Sequence, residues 1–166
     1  IGAYRRAVAS VQSIRQDIPV DYRFGRSSFR DTIGPLFTEL ADLLLQSAPL
    51  AASPAALAAI LDEARDTAEL IKVAELRDYF QDRCIVELQA RTRGIESVAS
   101  RTVAVYPIIL PERLELLLCF SGDEKMQVTV RVDQETLTAE TRRLRRFLER
   151  PATNDYLAPA RQLYDW

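Results

Sequence analysis

Two thiols, Cys84 and Cys119, are the best nucleophiles this sequence offers, and the chain contains no histidine to activate them. A cysteine attacks as its thiolate, and at neutral pH it needs a neighbouring base or cation to be ionised. The same composition excludes an imidazole general base and any His-ligated metal site within the chain. Neither cysteine belongs to a C-x-x-C pair, which argues against a zinc site and against a disulfide-dense scaffold. Both read as buried structural thiols.

The remaining clusters have simpler readings than chemistry. Asp62, Asp66 and Glu69 recur at i, i+4 and i+7, a spacing that lines carboxylates along one helix face as a metal would require. The Glu-x-x-His partners of di-metal bundles are missing and Arg65 stands among the acids, so a solvated face with local pairing is expected. Arg142, Arg143, Arg145, Arg146 and Arg150 are the densest basic cluster and could meet phosphates or an acidic partner. Glu135, Glu140 and Glu149 interleave it, without an aromatic platform for base stacking, which favours a solvated helix face. Tyr164 and Trp166 resemble a binding pair in isolation, yet fit the start of a core helix better. Ser121-Gly122-Asp123-Glu124 lacks the phosphate-loop pattern and is expected to be a hairpin turn. No residue is therefore assigned a catalytic, cofactor-binding or metal-binding role, and no cofactor is expected.

These residues must be positioned by an α+β arrangement: N-terminal antiparallel helices, then a three-stranded antiparallel meander, then two C-terminal helices. Tyr4, Val8, Val11 and Ile14 repeat at helical spacing over residues 3–16, ending at Ile18-Pro19. A loop through Asp21–Gly25 leads to Ser27 or Ser28 as the cap of a second helix with the stripe Phe29, Ile33, Leu36, Phe37, Leu40 and Leu44. Gly34-Pro35 inside that stripe predicts a kink, or a helix that begins at Pro35. Ser53-Pro54 starts a third helix reaching about Asp82. The period then changes to that of strands over Thr102–Leu110, Arg113–Phe120 and Met126–Val132. In the last of these, Met126, Val128, Val130 and Val132 are expected inward, with Gln127, Thr129 and Arg131 outward. The first strand is apolar on both faces and asks for cover on both. Asp133 should cap a fourth helix with Leu137, Leu144, Phe147 and Leu148 inward, and Thr153 or Asn154 a fifth.

The 166 residues are 48% hydrophobic and carry a net charge of −2, a globular composition with no strong field to attract nucleic acid or an anionic membrane. The longest apolar run, Ala48 to Leu61, is interrupted by prolines and falls short of the roughly 20 residues that a spanning helix needs. The start at Ile1-Gly2-Ala3 and the stop at Trp166 inside a helical pattern read as a fragment of a larger protein.

Several segments resemble the CHAT domains, caspase-like domains attached to tetratricopeptide repeats in bacteria. They are Ala74-Glu-Leu-Arg-Asp-Tyr-Phe-Gln-Asp-Arg-Cys84, Val105-Tyr-Pro-Ile-Ile-Leu-Pro-Glu-Arg-Leu-Glu-Leu-Leu-Leu118 and Ala160-Arg-Gln-Leu-Tyr-Asp-Trp166. Ser13-Ile-Arg-Gln-Asp17 and Phe29-Arg-Asp31 lie upstream, and Ala3-Tyr-Arg-Arg-Ala-Val8 looks like the second helix of a tetratricopeptide repeat. The resemblance implies residues 1–82 as a helical region ending a repeat segment, and residues 83–166 as the N-terminal half of a CHAT-like α+β domain. In the peptidase members a His and Cys dyad lies beyond the Leu-Tyr-Asp-Trp segment, and no residue here matches it. The implied function is a non-catalytic scaffold or regulatory portion of a cysteine-peptidase relative, coupling protein–protein interaction to the catalytic half. The alternative is an interaction module with no peptidase at all.

The expected partner is another protein or the C-terminal half of the same parent, with neither nucleic acid nor membrane. A truncated domain should also expose apolar area and a strand edge, and so associate with itself. A cytoplasmic parent is favoured, with an exported one carrying a single bridge as the alternative. This chain is expected to show no turnover of a peptide library with Arg, Lys and Asp at the cleaved position. Turnover that disappears on Cys84→Ala or Cys119→Ala is the contradicting result.

Overall fold

The computed structural model of the chain describes residues 1–14, 22–23, 26–27, 32–80, 102–121, 124–149 and 154–166, with backbone alone for 22–23, 26–27 and 74–80. Helix α1 (Gly2–Ser13) is followed by a two-stranded ladder, β1 (Tyr22–Arg23) and β2 (Arg26–Ser27). Helices α2 (Gly34–Ser47) and α3 (Pro54–Phe80) are joined through a 3₁₀ turn at Ala48–Leu50. Strands β3 (Val103–Ile109), β4 (Leu114–Phe120) and β5 (Lys125–Val130) form one sheet in that order. Helices α4 (Gln134–Leu148) and α5 (Leu157–Asp165) complete the α+β arrangement. The chain divides into two compact units, residues 1–104 with 119–125, and residues 105–118 with 126–166.

The first unit is built on the pairing of α2 with α3. Phe37, Leu40, Ala41, Leu44 and Leu45 of α2 are buried, as are Leu61 and Ala64 of α3. Each large side chain taken fully out of water contributes roughly 1.5–3 kcal/mol, so this stripe stabilises the α2–α3 pair strongly. Pro35 sits in the first turn of α2, where its missing N–H costs no helical hydrogen bond, and Ile33 is a turn residue ahead of it. The second of the two expectations for Gly34-Pro35 therefore holds to within a residue. Ser53 Oγ accepts the Ala56 N–H at 3.2 Å, capping α3 as its Ser-Pro start implies.

Several local expectations are corrected. Helix α1 ends at Ser13, so Ile14 follows it and is exposed. Tyr22 and Arg23 lie in a strand, not a loop, paired with Ser27 and Arg26 respectively; the residues that a Ser27 or Ser28 cap would serve lie outside the described ones. Phe29, Ser28 and Ile18-Pro19 lie outside the described residues, as do Cys84, Arg150 and Thr153.

The second unit closes around a small cluster. Leu114, Val130 and Val132 are buried, and Leu116, Leu137 and Trp166 pack against them. Asp133 Oδ1 accepts the Thr136 N–H at 2.7 Å and Oδ2 the Thr136 hydroxyl at 2.9 Å. The backbone hydrogen bond, then the hydroxyl one, hold its carboxyl below the usual range, and the cap weakens as pH falls through that lowered value. On α4, Leu137, Leu144 and Phe147 are half-buried, but Leu148 is exposed, against expectation. Of the two caps expected for α5, Asn154 contributes its carbonyl to the Leu157 N–H, Tyr156 is the N-cap, and Thr153 lies outside the described residues.

Candidate interaction surface

The meander's two sides differ in chemistry, and the hairpin closures decide which residues share a side. Leu110 N–H donates to the Arg113 carbonyl at 2.9 Å across Pro111-Glu112, and Phe120 N–H donates to the Glu124 carbonyl at 2.9 Å. Facing residues of an antiparallel pair share a side and successive residues alternate. One side therefore carries Ile109 and Val105 of β3, Leu114, Leu116 and Leu118 of β4, and Met126, Val128 and Val130 of β5. The other side carries Ile108, Glu115, Leu117, Gln127 and Thr129.

The first side is apolar throughout and only partly covered. Its Leu114–Val130 end lies under Leu137 and Trp166. At that end Ile109, on the β3 edge opposite Leu114, is still 45% exposed, and beyond it Val105 is 54% exposed, Met126 49% and Val128 38%. Met126 and Val128 are thus not inward-facing like Val130 and Val132, because the cluster reaches only one end of β5. Val105 and Ile109 lack the cover that a strand apolar on both faces asks for, so apolar area is exposed as expected. Strands β3 and β5 are also the two edges of the sheet. Pro107, on β3, has no N–H to offer a further strand.

The second side holds a buried carboxylate, and Glu115 is only 1% exposed. Arg113 Nε donates to its Oε1 at 2.6 Å, while Gln127 Nε2 and the Thr129 hydroxyl donate to its Oε2 at 3.1 and 2.8 Å. Both oxygens are satisfied, as a buried charge requires. This clasp ties β4 to β5. The sequence does not single it out, although Arg113 and Glu115, and Gln127 and Thr129, stand two positions apart as side chains on one side of a sheet do.

The clusters first considered for chemistry fall into local pairs. Arg65 contacts Asp62 at 3.2 Å and Asp66 at 2.9 Å, Lys72 contacts Glu69 at 2.7 Å, and Lys125 contacts Asp62 at 3.1 Å. Among the described residues no group of three acidic or thiol side chains is placed to hold a metal. Arg143 pairs with Glu140 at 3.2 Å and lies 5.8 Å from the Phe147 ring centre, and Arg145 pairs with Glu149 at 3.1 Å. Arg142 and Arg146 are exposed, and Cys119 is buried. Trp166 joins the second unit's cluster whereas Tyr164 is exposed, so the two aromatics do not act as a pair. Among the described residues no helix is long and apolar enough to cross a membrane. Comparison with protein-family models, with curated proteins and with solved structures finds no match to this chain.

Glu115→Ala takes away the acceptor that three donors use and leaves the Arg113 charge without this counterion. It should destabilise the protein by about 2–4 kcal/mol in urea unfolding, and Glu115→Gln by less. A change within about 0.5 kcal/mol for Glu115→Ala, typical of a surface substitution, contradicts the clasp.

Proposed function

We propose that this chain is the non-catalytic scaffold or regulatory part of a CHAT-domain protein, coupling protein–protein interaction to a caspase-like cysteine-peptidase half. The observation that carries this reading is the apolar side of the meander, where Val105, Ile109, Met126 and Val128 stand exposed on the edge strands. A contiguous apolar sheet surface of this kind marks a binding site. A peptidase half would dock on it, burying these side chains. Further support comes from the order of the resembling segments along the chain and from the missing histidine, which leaves the chemistry to another part of the parent.

Without that half, the surface has another copy of itself as the nearest apolar partner, and the chain is expected to be dimeric or larger. Sedimentation at micromolar concentration should show this, with binding of a hydrophobic dye. The double variant Val105→Lys/Met126→Lys, at positions already half in water, should keep its helical circular dichroism and become monomeric. A strictly monomeric wild type that binds no dye contradicts the proposal, and favours an interaction module without a peptidase half.

A further inference from the structure

The helical unit contains a second surface, independent of the meander and of the CHAT reading. Helix α1 has 12 residues and buries one of them, Val8, whereas α2 buries six. It has no side-chain N-cap hydrogen bond, no acidic residue in its first turn and no basic residue in its last. A helix of this length without such support is marginal on its own, so it is folded by what it touches. One side of α1 is apolar, with Val8 buried and Tyr4, Ala7 and Val11 half-buried, and its polar contacts are partly in water. Arg5 makes a two-pronged pair with Glu63 of α3, Nε to Oε1 and Nη2 to Oε2, both at 2.6 Å. Tyr4 donates its hydroxyl to Glu39 of α2, and this carboxylate raises the phenol's pKa through the hydrogen bond first and its charge second.

We propose that α1 is a displaceable occupant of a helix-binding seat on α2 and α3, and that the seat also accepts α1 of a second copy of this chain. The seat has a definite chemistry: it covers the short apolar stripe of Ala7, Val8 and Val11 and offers two carboxylates, Glu39 to Tyr4 and Glu63 to Arg5. The helix that fits it presents a hydroxyl donor, an arginine one residue later and a valine three residues after that. Tyr4, Arg5 and Val8 are that set, and nothing in these contacts depends on which copy supplies the helix. Exchange between copies replaces each contact by its twin, so its equilibrium is set by concentration and by how often the resident helix leaves. Salt and water weaken the partly exposed Arg5–Glu63 pair, which makes departure easier at high ionic strength.

The test uses a fluorescent peptide of residues 1–14 as the probe and the full chain as receptor. In the Arg5→Glu chain the resident helix faces Glu63 with like charge, so the wild-type peptide should bind this chain about tenfold or more tightly than the wild-type chain, whose resident helix competes. A peptide carrying Arg5→Glu should lose this binding and regain it on a chain carrying Glu63→Arg. Hydrogen exchange in the Arg5→Glu chain should quicken over residues 2–13 while α2 stays protected, which separates release of α1 from general unfolding. Absence of saturable binding to either chain overturns the proposal. So does binding that is indifferent to the charge at positions 5 and 63, or exchange that quickens equally in α1 and α2.

Discussion

A carboxylate buried in the meander governs how the second unit is arranged. Removing a charge from water costs several kcal/mol unless donors replace the lost hydration, and Glu115 obtains them from Arg113 on its own side and from Gln127 and Thr129 on the next strand. A shift of one residue in the β4–β5 pairing would take Glu115 to the side away from Gln127 and Thr129 and cost it both cross-strand donors. The clasp is therefore a register pin. Because strand side chains alternate, fixing the polar groups on one side gathers Val105, Ile109, Leu116, Leu118, Met126 and Val128 on the other.

The helical unit follows a different rule. Its α2–α3 pair is held by close-packed Leu, Ala and Phe side chains, with Leu44 and Leu45 fully out of water. Helix α1 buries only Val8 fully, with Tyr4, Ala7 and Val11 half-buried, and adds polar groups that are partly in water. Apolar burial gives the pair its permanence, and partly solvated ion pairs give α1 an attachment that competitors and salt can reach.

The parts of this fold that were legible in the sequence are those fixed by neighbouring residues. The Ser53-Pro54 start of α3, the Asp133 cap of α4 and the three strands all follow from side chains acting within a few positions, and the structure places them within about two residues. What depends on distant covering was not legible. Alternation in β5 sorts Met126 and Val128 onto one side with Val130, but it cannot tell that Trp166 and Leu137 cover only one end. Leu148 keeps helical phase with Leu144 and is still exposed. Glu115 is not legible either, because a lone acid between leucines is meaningful only once Gln127 and Thr129 are beside it.

Methyl NMR with a soluble nitroxide, across a dilution series, tests most directly whether the apolar side of the meander is a binding surface. The methyls of Val105, Met126 and Val128 should be strongly broadened in dilute solution and become protected as concentration rises, while those of Leu44 and Val132 stay sharp throughout. Broadening of Val105, Met126 and Val128 that is the same at every concentration, or absent at all of them, would contradict that role.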